Sequence, residues 1–227
     1  MFERAEILGH LRDAGLQAPY LERLAAYGAF LLDANRKFNL TGAKTAAELA
    51  PHLVDSLSVA PFVWGDLVDI GSGGGLPAIP LAIATGVGIT MVESVLKKAE
   101  FLRTVLAELD LPGRVVCERA ELAAHDPDFR ERFASGTARA VSTACTVAEL
   151  LLPFLRVGGR AILQRGALQA SERHALADAA LMLGGRLEDE RTLEGERRIL
   201  LVGKVAGTPH KFPRRAGIPE KRPLCSP

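Results

Sequence analysis

Net charge is nearly missing from this chain. Its 28 lysines and arginines face 27 aspartates and glutamates over 227 residues, a formal balance of +1. That excludes a protein drawn to nucleic acid or membrane by its overall field, and leaves only local patches for such contacts. Cysteine is scarce as well. Cys117, Cys145 and Cys225 stand far apart with no C-x-x-C spacing. The odd count argues against a disulfide framework, so a reducing, cytoplasmic setting is expected. No long apolar run is present either. The uncharged stretch from Leu76 to Val92 is broken by Pro77, Pro80, Gly86 and Gly88, so it reads as helix, turn and strand and not as a membrane span. The opening residues, MFERAEILGHLRDAG, carry charges throughout and are not expected to be a signal peptide. His10, His125, His174 and His210 show no ligand spacing to one another or to a cysteine, so no metal is expected. No G-K-[ST] follows any glycine cluster and no G-x-S-x-G occurs, which removes a Walker phosphate loop and a hydrolase nucleophile elbow.

What is present is a core and a rhythm. Hydrophobic residues make up 48% of the chain, enough for one domain with an appendage or two small ones. From Pro19 to Phe38 apolar residues recur at helical spacing, through Leu21, Leu24, Tyr27, Phe30, Leu31, Ala34 and Phe38. A second helical stretch runs from about Ala47 to Ala60. Residues 1–62 are therefore expected to form a helical cap. After Gly65 strands and helices alternate: LVDIG, PAIPLAIAT, GITMVE, then the amphipathic VLKKAEFLRTVLAELDL with Leu96, Phe101, Leu102, Val105, Leu106 and Leu109 inward. RVVCE and ARAVS read as the third and fourth strands, TVAELLLPFLRVGG as a helix closed by Gly158 and Gly159, and RAILQRG as the fifth strand. SERHALADAALMLGG is a further helix, and RLEDERTLEG with RRILLVGKV a closing antiparallel pair. Strands alternating with helices over short loops imply a mostly parallel sheet covered on both faces. Residues 63–205 form this α/β domain, and residues 206–227 a basic, proline-rich tail. Pro209, Pro213, Pro219 and Pro223 make that tail run extended over the surface.

The densest feature is LVDIGSGGGLPAIP, residues 67–80, with Gly71 and Gly73 to Gly75 between a strand and a helix. Such a turn bends tightly, admits a ligand to bare backbone and aims helix N–H groups outward. Gly73 to Ala78 formally satisfies the dinucleotide pattern G-x-G-x-x-A, and Glu93 stands about twenty residues on, where a ribose acid belongs. Asp69 decides between ligands. An acid two residues before the first glycine, then glycines at alternate positions, resembles motif I of the class I S-adenosylmethionine methyltransferases, whose ligand has a cationic amino group and a sulfonium and no phosphate. Such an acid suits a pyrophosphate poorly.

NLTG at Asn39 to Gly42, HLVDSL at His52 to Leu57, LVDIGSGGGLPAIPLAIA, RAE at Arg119 to Glu121, RAV at Arg139 to Val141, and PFLRVGGRAIL occur in that order. Together they resemble the RsmG (GidB) family, bacterial S-adenosylmethionine (SAM)-dependent methyltransferases acting on guanine N7 of 16S ribosomal RNA. The resemblance covers nearly the whole chain, including FPRRAGIPEKRPL in the tail. It implies a class I SAM-dependent methyltransferase fold: Rossmann-like, seven-stranded, mostly parallel, with a terminal antiparallel strand. It implies SAM as cofactor. Asp69, Gly71, Gly73, Gly75 and Leu76 then hold its amino-acid end, Glu93 its ribose, and Ala120 and Glu121 its adenine. Arg139 takes the catalytic position near the methionine end and the incoming RNA. Two positions depart from the family pattern: Ala138 replaces a serine, and Arg165 a lysine.

Other residues carry lesser expectations. His52, Asp55 and Ser56 lie within about a turn of one helix, whereas a nucleophile and its base converge from different elements, so they are no triad. With Asn39 they either shape the site or serve structure. Asn39, His52, Asp55, Arg165, Arg214 and Arg215 are the candidate RNA contacts. Guanine N7 carries a lone pair and no proton, so direct displacement at the methyl needs no general base, in keeping with the missing acid–base set. The expected partner is 16S rRNA within the small ribosomal subunit or its precursor. The chain itself is expected to be a monomer without membrane contact. The alternatives are methylation of another RNA or of a small molecule, or an inactive SAM-binding module.

Overall fold

The computed structural model describes residues 2–139, 142–193 and 197–225. The last two residues of the RAV motif therefore lie outside the described residues, as does part of the turn before the last strand. Three helices come first: α1 (Phe2–Asp13), α2 (Leu21–Asn35) and α3 (Ala46–Leu57). Thr45 starts α3, its hydroxyl accepting from the Glu48 N–H at 3.2 Å, the ordinary N-cap role of a threonine. A 3₁₀ turn over Ala60–Phe62 then leads to the sheet.

Seven strands follow: β1 (Leu67–Ile70), β2 (Ile89–Val92), β3 (Gly113–Val116), β4 (Phe133–Arg139), β5 (Leu155–Arg165), β6 (Gly185–Thr192) and β7 (Arg198–Lys204). Their order is β3-β2-β1-β4-β5-β7-β6. β1 to β5 pair parallel, and β7 runs antiparallel between β5 and β6. The intervening helices are α4 (Ala78–Thr85), α5 (Leu96–Glu108), α6 (Ala120–Ala123), α7 (Ala144–Leu151) and α8 (Ala170–Met182). This is the expected seven-stranded, mostly parallel sheet whose last strand is reversed.

The pleat sorts the core in two. Leu67, Met91, Ile162, Ile199 and Leu201 point to the face covered by α1 to α5. Their neighbours Val68, Val92, Leu163, Leu200 and Val202 point to the face covered by α6 to α8 and by Phe212 of the tail. Successive side chains on a strand face opposite ways, so strands buried on both sides read as unbroken apolar runs.

The structure corrects several local expectations. The segment TVAELLLPFLRVGG is not one helix. α7 stops at Leu151, Leu152–Phe154 form a 3₁₀ turn around Pro153, and β5 already begins at Leu155. Gly158 and Gly159 sit inside β5. A side chain at Gly159 would come within 2.9 Å of the Phe133 carbonyl oxygen on β4, so glycine there serves close strand approach and not helix termination. β4 starts at Phe133, earlier than ARAVS suggests. Pro77 precedes α4, and Pro80 occupies its first turn, where the N–H it lacks would have no partner. On α5, Leu96 is exposed, and Ala99, Leu102, Val105 and Leu106 carry the packing.

The tail is not extended throughout. It contains one helical turn, α9 (Ile218–Lys221), and it folds back onto α7. Arg214 grips the buried Glu149 with two nitrogens, at 2.8 and 2.7 Å. Arg130 donates to the carbonyls of Thr208 and Phe212. Contrary to the cysteine count, Cys145 and Cys225 are joined as a disulfide across 80 residues, with Cα atoms 6.0 Å apart. Spacing alone does not reveal the pairing, because only the return of the tail brings the two together. Cys117 is free and exposed.

Candidate functional site

In a parallel sheet, ligands bind beyond the carboxyl ends of the strands where the strand order reverses. Here that switch falls between β1 and β4. β1 ends in Asp69–Ile70 and β4 in Arg139; Glu93 follows β2, and Gln164 and Arg165 close β5. The chemistry-bearing motifs therefore meet at one edge.

The glycine loop leaves β1 with three left-handed residues, Gly71, Gly73 and Gly75, at φ 64°, 54° and 95°. A Cβ at Gly75 would collide with Ile79 of α4. At Gly73 a Cβ would meet only ordinary contacts, the Gly71 and Leu40 carbonyl oxygens at 3.8 and 3.9 Å. The loop is thus tightly packed on its helix side and looser at Gly73. The cap clamps it from above. Tyr27 of α2, fully buried, donates its hydroxyl to the Gly74 carbonyl at 2.7 Å. An unpaired hydroxyl buried there would cost about 1–3 kcal/mol, so the bond ties the cap to the loop. Burial holds the Tyr27 phenol well above its ordinary pKa, so it remains a donor.

Two carboxylates flank the loop. Glu93, nearly buried, accepts from Gly73 N–H on Oε2 at 2.9 Å and from Val95 N–H on Oε1 at 2.8 Å. Each oxygen keeps a second lone pair, enough for two further donors such as a ribose diol. Asp69 is buried too. Its Oδ1 accepts from the Thr137 hydroxyl at 2.8 Å, and its Oδ2 has no partner. Burial pushes the carboxyl up to about 7, against the opposing pull of the Ser72 and Thr137 hydroxyls. A buried polar oxygen left unpaired invites a cationic or hydrogen-bond-donating ligand.

Beyond β2 lies a small cleft of about 110 Å³ lined by Gly71, Ser94, Arg119, Ala120, Glu121 and Leu150, among others. The Glu121 carboxylate is buried. It accepts a fork from Arg119 (3.2 and 2.7 Å) and the Gly217 N–H of the tail (2.7 Å). Burial works to raise its pKa, but these donors outweigh it and hold it below the usual range. The cleft is apolar on one side and carboxylate-edged on the other, which suits a flat heterocycle.

The opposite side of the loop is basic. Arg139 extends from β4 onto α3. It meets His52 Nδ1 at 2.9 Å, Ser56 Oγ at 3.4 Å and Asp55 at 3.6 Å. Burial, then the Arg139 charge, lowers the His52 pKa, so the ring is neutral and its Nδ1 accepts. His52, Asp55 and Ser56 thus position an arginine and form no nucleophilic relay. Asp55 also receives Arg197 at 2.8 Å and Gln164 on its carbonyl at 2.9 Å. A cavity of about 470 Å³ opens here, bounded by Arg139, Gln164, Arg165, Arg197 and Arg198.

The structure brings together Asp69, Gly71, Gly73, Gly75, Leu76 and Glu93 around the loop, Ala120 and Glu121 beside it, and His52, Asp55, Arg139 and Arg165 at the basic cavity. It does not bring the other candidates there. Asn39 is exposed on a separate cavity of about 660 Å³ with Arg36 and Lys44. The turn chemistry of that segment belongs to Asn35, which accepts from Leu40 and Thr41 and donates to Ala43. Arg214 is committed to Glu149, and Arg215 is exposed on the tail. Tyr27, Gln164, Arg197 and Arg198 were not anticipated. Gln164 and Arg165 end a predicted strand, which is a usable signal. Arg198 is recognisable only from strand pairing, which sets it opposite Arg165. Among the described residues, no group of three His, Cys, Asp or Glu is arranged to hold a metal ion. Among the described residues, no helix is long and apolar enough to cross a membrane.

Comparison with known proteins shows the family and the fold. The GidB family model, described as rRNA small subunit methyltransferase G, matches residues 20–201. A protein named ribosomal RNA small subunit methyltransferase G from Deinococcus deserti is 37% identical, over 96% of this chain and 95% of its own. One of the same name from Roseiflexus castenholzii is 40% identical, over 90% and 92%. Among solved structures, the mitomycin 7-O-methyltransferase MmcR aligns with TM-score 0.57 at 16% identity, over 90% of this chain and 68% of that one. The Thermus thermophilus 16S rRNA N2 G1207 methyltransferase RsmC, in complex with AdoMet and guanosine, aligns with TM-score 0.50 at 18% identity, over 70% and 40%. Both share the fold.

Proposed function

Because the chain belongs to the GidB family of small-subunit rRNA methyltransferases, we propose that it transfers a methyl group from S-adenosylmethionine to N7 of a guanine in 16S ribosomal RNA. The observation that carries the reading is the junction of two unlike halves at one sheet edge. A carboxylate-flanked glycine loop adjoins a cavity bounded by four arginines. The first half fits a cationic nucleoside, the second a polyanion.

The donor set matches the cofactor. The unpaired Asp69 Oδ2 would take the amino-acid end, the spare lone pairs of Glu93 the ribose, and the cleft of Ala120 and Glu121 the adenine. When bound, the cofactor supplies an electrophilic methyl group on a sulfonium. The protein's own residues have only to align and desolvate. Guanine N7 needs no base, and bringing reactants into line is worth a large share of such a barrier. Arg139 reaches the boundary between the two halves, so it orients the incoming guanosine, while Arg165, Arg197 and Arg198 receive phosphate oxygens. N7 is inaccessible in a regular RNA helix, so the guanine must be presented by its folded surroundings. We read the substrate as the assembled small subunit or its precursor, and the protein as cytoplasmic. Residues 63–205 carry the cofactor, residues 1–62 cap it, and one chain supplies every group named, so a monomer suffices.

The test is transfer of labelled methyl from SAM to unmodified small subunits, with mass mapping of the product. One 7-methylguanine in 16S rRNA is the expected result. A methyl on another base or on protein overturns the reading. SAM binding without transfer to any RNA establishes the inactive binding module instead.

Asp69 makes the affinity depend on pH. Below about 7 its carboxyl is protonated in the free protein and offers no charge to a cationic ligand. SAM affinity is therefore expected to rise with pH and level off above 7, falling roughly tenfold per unit below that. Without ligand the sign reverses. The native carboxyl holds its proton to a higher pH than the unfolded one, so the stability it contributes is lost as pH rises from about 4 through 7. Titration calorimetry from pH 5.5 to 8.5 checks the first effect. Asp69→Asn flattens the profile, and an unchanged slope in that variant refutes the assignment.

A further inference from the structure

The one covalent link in the fold joins the tail to the floor of the cofactor cleft. Cys145 is the second residue of α7 and buried; Cys225 lies in the tail. α7 docks the far half of that tail through three of its residues. Thr146 donates its hydroxyl to the Pro219 carbonyl at 3.0 Å, and Glu149 holds Arg214. Arg214 in turn donates to the Arg222 carbonyl at 2.7 Å. Between these anchors the Gly217 N–H bonds to Glu121 at 2.7 Å. The bridge is therefore connected to the adenine-side carboxylate through about eight residues of chain.

The bridge is also reachable. A cavity of about 660 Å³ is lined by Cys145 and Cys225 together with Leu168, Ala175, Lys221 and Arg222. Glu172 also lines this cavity, but the helix start with Lys221 and Arg222 outweighs its single charge and leaves a net positive setting, the kind in which cysteines exchange. Protein disulfides that occur in a reducing compartment are usually transient and redox-sensing.

We propose that Cys145 and Cys225 form a redox-responsive clasp that couples thiol oxidation to cofactor affinity. The compartment and the identity of the cofactor rest on the function proposed above. Closure proceeds by exchange with a small anionic disulfide of the glutathione class. One cysteine thiolate attacks that disulfide, forming a mixed disulfide and expelling one small thiol. The second cysteine thiolate then attacks the mixed disulfide and expels the other. Two protein thiols lose two electrons and two protons, and one small disulfide becomes two thiols. Closed, the clasp holds the tail on α7 and Gly217 on Glu121. Open, the chain end is held by side-chain contacts alone, and Glu121 is less firmly fixed.

The test uses the full chain with Cys117→Ser, equilibrated with oxidised glutathione or with dithiothreitol. Mass spectrometry after alkylation is expected to find the bridge only in the first sample. Amide exchange over residues 217–225 is expected to be at least about tenfold slower when oxidised, and SAM affinity at least about threefold tighter. Adding Cys225→Ser should fix the protein at the reduced values in both buffers. Absence of the bridge under oxidation, or SAM affinities equal within twofold in the two states, overturns the clasp. No SAM binding in either state refutes the function instead, and the exchange rates then decide the clasp alone.

Discussion

Arg139→Ala is expected to lower turnover on small ribosomal subunits by about a hundredfold to a thousandfold, the usual loss when one preorganised charged donor is removed from a reacting centre. The side chain is mostly buried and fixed on three sides by His52, Asp55 and Ser56. It therefore meets substrate without first being ordered. The fold should survive its removal, because Asp55 keeps Arg197 at 2.8 Å and Gln164 on its carbonyl and is not stranded as a lone buried charge. SAM affinity should weaken less than about tenfold, since the ribose and adenine sides are untouched. Arg139→Lys should restore little, because an ammonium cannot reproduce the spread of contacts to His52 and Ser56. Single-turnover methyl transfer with a thermal melt of each variant checks this. Wild-type turnover in the alanine variant would remove Arg139 from the site.

The second large effect concerns Glu93. Glu93→Ala is expected to weaken SAM binding by about a hundredfold or more. Three losses combine: both ribose acceptors, the anchor on Gly73, and the anchor on Val95. Hydrogen bonds to a charged acceptor are worth roughly 1.5–3 kcal/mol each, so even two of them exceed a factor of one hundred. Glu93→Gln separates these contributions. Its amide turns an NH₂ donor toward one of two backbone N–H groups that both require an acceptor, so one end of the loop should loosen. Titration calorimetry should place it between wild type and alanine. A glutamine variant as tight as wild type would show that the loop, and not the charge, carries the affinity.

Much of this was legible from residues that are neighbours in the chain. The short apolar run of β1, its glycines and the apolar start of α4 announce a strand, a bare loop and a helix in one stretch. Asp69, two residues before the first glycine, points toward a cationic ligand from sequence alone. Less was legible where meaning depends on distant partners. FASGTAR looks too small and polar for a central strand. Yet Gly136 must be small because Leu151 and Leu155 press on it, and Thr137 because its hydroxyl serves Asp69. The same applies to LRVGG, where Gly159, part of a pair that resembles a helix stop, allows two strands to touch. Charge was the least reliable guide. Arg214 and Arg215 are adjacent and alike in composition, but Arg214 is bound to a buried glutamate and Arg215 is in solvent. Arg197 and Tyr27 reach the site only through sheet pairing or cap packing, which no local pattern encodes.

The reversed strand β7 has a consequence for how such an enzyme can be retuned. Parallel strands deliver only their final residues to the working edge. An antiparallel strand delivers its first, so the start of β7 lies on the same edge, with Arg198 set beside Arg165. Charge at that strand start can change without disturbing β1, β2 or their loops. On the proposed function, part of the substrate reach is thus written apart from the cofactor grip. A designer, or evolution, can adjust the basic cavity at Arg198 while the donor loop remains as it is.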